Sequence, residues 1–337
     1  AFENGLAAFI SRAYLHDVAV KFNPEWPLAT DLSGVAIFTG LGFDVDVAGA
    51  KSQGIAVSSA DVTMTSYKQP FIDLSLSASA KGNALFDYLS VTPITKNMPL
   101  DEDMKLSGQQ RVDLKFEVPL KKEVKVDPRG RVRFHDAGFS TAHLALTDLN
   151  GGVALDGFDL KMDQLNANLL SNPVSISGVI KTKTPTGLKL DVSLTGDMSA
   201  EQLMAEQQLE LPVHGVSEWT IGITNPNKVL RMDMHSDLVG TAVDMPAPLS
   251  KPAASEKVFE LGCDIPCSES VIDLNYGDEI ISRLVATEAE MNIEQLLFKQ
   301  PLIPGDNKLI LGGHISELDI AFSKLAPKTK NQLTFTF

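Results

Sequence analysis

The stretch from Val112 to Phe134 alternates between apolar and charged residues with a period of two. Nine of its even positions carry valine, leucine or phenylalanine, and every odd position except Pro119 carries a charge. Successive side chains of a β-strand point to opposite faces of the sheet. The stretch therefore predicts strands with one charged face and one apolar face, and what covers the apolar face is the central question about this chain.

The same alternation returns along most of the chain, in segments that begin near residues 72, 158, 188 and 230. One-sided strands of this kind are typical of antiparallel sheets. Together with the first stretch, these segments predict an apolar stripe that consists of Leu74, Leu76, Leu114, Phe116, Val118, Leu160, Met162, Leu190, Val192, Leu194, Met232 and Met234.

Turn and helix signals complete the predicted fold. The pair Asn150-Gly151 lies between apolar runs and predicts a hairpin turn. Helix signals are confined to short segments, such as the one after Ser199, where Gln202 completes a capping box. A few short helices cannot cover the apolar face of so many strands. The sequence therefore predicts a mainly β fold, a long meander of antiparallel hairpins with few helices.

A proline-rich segment, residues 244–257, interrupts the pattern. Pro246 and Pro248 cannot donate backbone hydrogen bonds, so a central strand is excluded here. The segment predicts a sheet edge, a crossing or a linker. The predicted organisation is a β meander with short helices over residues 1–243, the proline-rich segment over 244–257, and a continuation of the sheet over 258–337.

Composition and motifs exclude several classes of function. The formal net charge of −14 argues against nucleic acid as a partner. The six histidines show no metal-ligand spacing, and the chain contains neither a serine nucleophile elbow nor a phosphate-binding loop. No stretch approaches the roughly 20 apolar residues of a spanning helix. We therefore predict no enzyme, and hence no catalytic residue, metal ion or cofactor.

The two cysteines, Cys263 and Cys267, lie four residues apart. They do not predict a zinc site, because no second pair of ligands accompanies them. Pro266 helps the backbone to turn, so a local disulfide is geometrically possible, and a pair of buried thiols is the alternative. A disulfide would indicate an oxidising compartment such as a bacterial periplasm.

Two kinds of covering are compatible with the apolar stripe. Such stripes usually form the dry core of a two-sheet sandwich, and the pattern by itself favours that arrangement. The alternative is an open, curved sheet whose concave apolar face holds lipid.

Several segments in order resemble the YhdP branch of the AsmA-like envelope proteins, which are relatives of TamB. The most specific is the proline-rich segment, which is similar to an acid-x-Pro-x-Pro-Leu-x-Lys-Pro pattern of that family. The pattern is matched by Asp244, Pro246, Pro248, Leu249, Lys251 and Pro252. Weaker similarities include Trp26-Pro27, the strand that ends in Pro119-Leu120, and the segment 309–320. At Thr92-Pro93-Ile94 the family tends to have Ser-Pro-Leu.

This resemblance implies a middle piece of a much longer periplasmic protein of a Gram-negative bacterium, anchored in the inner membrane by a segment elsewhere. The implied fold is a long, U-shaped β-sheet with an open hydrophobic groove. The implied activity is passive movement of phospholipid between the inner and outer membranes, which supports the outer-membrane permeability barrier. The partners are then phospholipid acyl chains, and the apolar stripe becomes the lining of the groove.

Two other functions are compatible with the sequence. One is an envelope scaffold or assembly factor that offers sheet edges to client proteins. The other is an ordinary secreted β-sandwich binding module, which needs no lipid. Lipid that co-purifies with the protein would distinguish the conduit from the binding module.

We predict that Cys263 and Cys267 are joined by a disulfide in protein exported to the periplasm. The short separation and the implied oxidising compartment both favour the bond. Intact-mass measurement after alkylation should find two modified thiols only when reductant is added first. Two thiols that react without reductant would contradict this prediction.

Overall fold

A computed structural model describes most of the chain, in two compact units. The described residues are 9–21, 24–68, 71–92, 103–119, 128–142, 144–185, 187–206, 211–245, 249–277, 280–286, 291–298 and 310–313. Unit 1 comprises residues 1–192 and unit 2 comprises residues 193–337.

Unit 1 is an antiparallel meander in which each strand pairs with the next one along the chain. In the described part of this unit, a single short helix, α1 (Ala84–Ser90), follows β5. The strands are β1 (Ile10–Val20), β2 (Ala29–Thr39), β3 (Phe43–Ser52), β4 (Ile55–Met64), β5 (Phe71–Lys81), β6 (Lys105–Pro119), β7 (Arg129–Ser140), β8 (Ala145–Asp156), β9 (Asp159–Leu169) and β10 (Asn172–Thr184). This confirms the predicted fold class, a mainly β chain built on an antiparallel sheet that does not close.

Bulges keep the apolar residues of these strands on one face. In five strands the register advances by three residues where the neighbouring strand advances by two. An added residue reverses the alternation and bends the strand. The apolar positions accordingly change from even to odd numbers, from Phe134 to Ala137 in β7 and from Met162 to Leu165 in β9. A residue with positive φ lies at each bulge: Asp17, Asp31, Asp136, Asp148 and Gln164.

The hairpin predicted at Asn150-Gly151 is wrong, because both residues lie inside β8. The side chain of Asn150 instead forms hydrogen bonds with the residues at two bulges. Its side-chain oxygen accepts a hydrogen bond from the Asp136 backbone N–H at 3.1 Å, and its amide nitrogen donates to the Asp148 carbonyl at 2.9 Å. Asparagine and glycine suit a strained bulge for the same reason that they suit a turn. The turn between β8 and β9 lies at residues 157–158, where Gly157 has positive φ.

Unit 2 continues the antiparallel pattern in shorter strands. β11 (Gly187–Ser199) leads from unit 1 into helix α2 (Ala200–Glu206), whose Gln202 N–H is capped by the Ser199 hydroxyl at 3.3 Å, as the sequence predicted. The strands that follow are β12 (Val213–Thr224), β13 (Arg231–Ser236), β14 (Thr241–Val243), β15 (Phe259–Asp264), β16 (Val271–Tyr276), β17 (Ile280–Ala286), β18 (Met291–Phe298) and β19 (Ile310–Gly313).

The pairing in unit 2 is mostly sequential. β12 pairs with both β13 and β14, β13 pairs with β15, and β15 to β18 form antiparallel neighbours. β19 is parallel to β18. Within the described part of both units, no helix is long and apolar enough to cross a membrane.

The described part of the proline-rich segment is bound tightly inside unit 2. Val243 and Lys251 exchange backbone hydrogen bonds of 2.8 and 3.0 Å, and the Tyr276 hydroxyl donates to the Leu249 carbonyl at 2.8 Å. Pro246 and Pro248 lie outside the described residues. The division of the chain at 244–257 stays a prediction, and the compact units divide at residue 192.

A buried ammonium group holds this segment in place. Lys251 is 3% exposed, and its Nζ donates to the carbonyls of Leu238, Thr241 and Pro252 at 2.7, 2.8 and 3.1 Å. Burial lowers the pKa of Lys251, because the charged form loses water. The lysine of the family-like segment therefore has a structural role, as a pin between the segment and the loop before β14.

We predict that Lys251→Met destabilises unit 2 by about 2–3 kcal/mol, because it removes hydrogen bonds from a charged donor to buried carbonyls. Urea unfolding followed by the fluorescence of Trp219, with Trp26 replaced by phenylalanine, measures the loss. Lys228→Met, at an exposed position of the same unit, should change the free energy of unfolding by about 0.5 kcal/mol or less. Equal effects of the two substitutions would contradict the pinning role.

Candidate functional site

The candidate site is the apolar face of unit 1, which is built from rows of residues paired across neighbouring strands. Residues in register on adjacent strands share a face of the sheet. One row runs from β4 to β10 through Ala60, Leu76, Leu114, Gly130, Leu155, Leu160 and Ile180. A second row runs beside it through Val57, Ala78, Val112, Val132, Val153, Met162 and Gly178.

The structure places most of the predicted stripe residues of unit 1 on this face. Leu76, Leu114, Leu160 and Met162 belong to the two rows, and Leu74 pairs with Phe116 on the same side. All six of these side chains are half-buried rather than buried. A two-sheet core would bury them, so the exposure favours the open arrangement over the sandwich.

Three further residues of the predicted apolar stripe belong to unit 1. Leu190 and Val192 lie in β11 and are also half-buried. Gly178 lies close to the backbone of Val192, so β11 approaches β10 at this point. The side chain of Val118 lies outside the described residues.

Helix α1 covers one part of the apolar face and leaves the rest open. Ala84, Leu85 and Tyr88 pack against a buried cluster formed by Ile55, Ala78, Ala80 and Val112. Burial raises the pKa of the Tyr88 hydroxyl, as expected for a side chain turned into this cluster. Phe116 lies on the same strand and face as Val112 but is not part of the cluster.

The opposite face of unit 1 is polar. Lys115, Glu117, Lys189 and Asp191 are exposed, as the alternation predicts. Asp113 accepts a hydrogen bond from the Ser77 hydroxyl at 2.7 Å, and this bond, with a hydrogen bond from Arg133 and the charge of Arg111, holds the pKa of Asp113 below its usual value.

Unit 2 carries a second apolar face of the same construction. One row consists of Ile223, Met232, Cys263, Ile272 and Leu284, and a second contains Ile221, Met234, Leu261 and Leu274. Met232 and Met234, both predicted from the sequence, are half-buried, whereas Leu194 is 3% exposed. Of the three predicted stripe residues in unit 2, only Leu194 is therefore fully covered.

A disulfide-bonded turn covers part of the apolar face of unit 2. In the structure Cys263 and Cys267 are bonded, with Cα atoms 5.4 Å apart. Cys263 is fully buried and packs with Ile272 and Ala286, while the 3-10 turn at Cys267–Glu269 contacts β15 and β17. The oxidation state in the native protein stays a prediction.

No catalytic or metal-binding constellation appears among the described residues. They contain no group of three or more histidine, cysteine, aspartate or glutamate side chains that could hold a metal ion. His214 lies 3.5 Å from Glu201 and 3.8 Å from Asp244, but its side chain is 60% exposed. The apolar faces therefore remain the candidate site.

Sequence reasoning did not identify two features of the structure. It predicted short helices but could not place α1 on the apolar face, because helical periodicity does not state which strands a helix contacts. It also did not identify Lys251 as buried, because the carbonyls of Leu238 and Thr241 that bind its ammonium group lie in another segment of the chain.

Comparisons with known proteins agree on one family. A family model described as "YhdP protein" matches residues 1–322 of the chain. The "Intermembrane phospholipid transporter YhdP" of Escherichia coli (strain K12) is 22% identical over 259 residues, which cover 74% of this chain and 20% of the relative. The aligned part thus spans about a fifth of that relative's length. No solved structure matches the chain.

We predict that a charge is tolerated on β6 where α1 does not cover the apolar face. Val112→Asp places a carboxylate in the covered cluster and should cost about 3 kcal/mol or more. Phe116→Asp, four residues along the same strand, should cost about 1–2 kcal/mol, since the carboxylate stays hydrated. Urea unfolding followed by Trp26 fluorescence, with Trp219 replaced by phenylalanine, measures both. Equal destabilisation would contradict an open face at Phe116.

Proposed function

This chain belongs to the YhdP family, and from that premise we propose that its apolar faces hold phospholipid acyl chains in transit along a longer protein. The observation that carries the proposal is the pair of apolar rows across β4 to β10, in which most side chains are half-buried and only Ala60, Ala78 and Val112 are buried. The relative from Escherichia coli is named an intermembrane phospholipid transporter, and the proposal assigns that activity to this chain as a segment of the conducting path.

The dimensions of the rows suit an acyl chain. They cross six inter-strand steps of about 4.7 Å, so the path measures about 28 Å. The hydrocarbon core of a whole bilayer is about 30 Å thick, so an acyl chain from one leaflet occupies about 15 Å. The rows run across the strands, and an acyl chain that lies along them would move from strand to strand.

The energetics explain why such a path needs no specific site. Exposure of an acyl chain to water costs about 0.8 kcal/mol for each methylene group, which amounts to roughly 10 kcal/mol or more for a whole chain. A continuous apolar surface lowers this cost equally at every position, so the lipid encounters no deep minimum. Passive transfer of this kind requires no catalytic residue and no cofactor.

The wider setting follows from the same proposal. The segment would lie in the periplasm, in a protein anchored in the inner membrane, with the groove open towards the outer membrane. The bulges in unit 1 bend its strands, which supports a curved sheet in that unit. Delivery of phospholipid along this groove would sustain the outer-membrane permeability barrier.

We predict that photo-crosslinking residues on the two faces of neighbouring positions give opposite results in cells. A crosslinker at position 116 or 192 should capture phospholipid, because these side chains lie on the apolar face. A crosslinker at position 115 or 191 should not, because these positions are exposed on the polar face. Mass spectrometry of the crosslinked adducts identifies the lipid. Equal labelling of the two faces would refute the groove.

Organic extraction of the purified protein distinguishes the remaining functions. A lipid conduit should release phospholipid into the extract. An assembly factor or a binding module should release none, and its positions 116 and 192 should give no lipid adduct.

A further inference from the structure

The polar face of unit 1 carries a cluster of cations that the lipid proposal does not use. Lys81, Arg111, Arg131 and Arg133 line a cavity of about 1010 Å³ over β4 to β9. Among the described residues that line it, the carboxylate is Asp163, which is already paired with Lys161 at 3.1 Å. A local excess of positive charge is unexpected in a chain whose net charge is −14.

The register brings like charges directly together. Arg111 on β6 pairs with Arg133 on β7. Side chains at such positions have Cβ atoms about 4.5–5.5 Å apart, and like charges there are destabilising. Arg131 lies two residues along β7 on the same face, and Lys81 lies two residues beyond Ser79, the β5 partner of Arg111. A polar face that only contacts solvent would not require two arginines directly opposite each other.

One carboxylate beside the cluster cannot neutralise it. Asp113 contacts Arg133 through Oδ2 and lies 3.6 Å from Arg111 through Oδ1, which also accepts the Ser77 hydroxyl. Arg131 lies opposite Asp113 in register, yet within the described part of the chain it forms no ion pair. The arginines therefore retain donor groups for another anion.

A glycine on the neighbouring strand lets the stem of one arginine lie close to the sheet. Gly152 on β8 is the register partner of Arg133, and Gly151 precedes it at the bulge. A Cβ atom on Gly152 would approach Cδ of Arg131 to 3.2 Å, so the stem of that arginine lies across the glycine. Gly152 lines the cavity and presents no side chain on the arginine face, whereas Gly151 is in register with Phe134 on the opposite face.

We propose that this cluster, which consists of Lys81, Arg111, Arg131 and Arg133, is a binding site for a phosphate group. Guanidinium groups bind phosphate oxygens in bidentate fashion, and a pair of them in register can hold two edges of the same anion. The bound dianion would relieve the repulsion between Arg111 and Arg133. The site lies on the face opposite the apolar rows, so it is independent of acyl-chain binding.

Calorimetric titration with inorganic phosphate and with glycerol 3-phosphate tests the site. The wild-type chain should bind both, beyond the effect of chloride at equal ionic strength. The variant Arg111→Gln/Arg133→Gln should bind at least about tenfold more weakly, because two charged forks are lost. The control variant Arg12→Gln/Lys51→Gln changes the charge of unit 1 equally at other exposed positions, and it should bind like wild type.

A conservative variant separates a built site from diffuse attraction. Arg111→Lys/Arg133→Lys keeps the charge but loses the planar forks, so its affinity should fall between those of wild type and the glutamine variant. Vesicles of phosphatidylcholine, with and without phosphatidylglycerol, then identify the source of the phosphate group. A chain that binds vesicles as well as free phosphate recognises a lipid headgroup. A chain that binds free phosphate but no vesicle recognises a soluble ligand. Binding to vesicles alone, equal affinities of the glutamine and control variants, or an undiminished lysine variant would overturn the proposal.

Discussion

The antiparallel ladder is the constraint on which every other feature of this chain depends. It forces neighbouring residues onto opposite faces, and paired residues onto the same face. An apolar residue in one strand therefore continues into the next strand only if the register is maintained. Leu76, Leu114 and Leu160 lie in one row for this reason, although they are far apart in sequence.

Bulges reconcile this rule with a sheet that bends. If the sequence kept strict alternation, each added residue would move the apolar side chains of the rest of its strand to the opposite face of the sheet. The chain instead moves its apolar residues by one position after the bulge, and it places aspartate or glutamine in the left-handed conformation there. Aspartate tolerates positive φ better than most residues. Its charge also stays on the surface at the bend.

Only parts of the apolar faces are covered, and a different segment of the chain covers each part. Helix α1 packs over the end of the face near Val112, and the turn at Cys267 packs over the unit 2 face near Ile272. Lys251 holds the proline-rich segment through the carbonyls of Leu238 and Thr241. Leu74, Leu76, Leu114, Phe116, Leu160 and Met162 in unit 1 stay half-buried. A ligand can therefore reach these side chains, as it could not in a fully buried core. The polar face, meanwhile, concentrates Arg111 and Arg133 where a solvated face would disperse them.

The sequence by itself determined the strand class, the two faces of the strand segments that alternate regularly, and the family. Alternation is a property of neighbouring residues, so Leu114 and Lys115 could be assigned to opposite faces without any long-range information. Register, bulges and cover required the tertiary structure, because they depend on pairings between distant residues. Asn150-Gly151 has the same local signature in a hairpin as in a bulge, and only its partner Asp136 on β7 decides between them. The burial of Lys251 and the crowding of Arg111 against Arg133 likewise arise from chain segments that no local pattern connects.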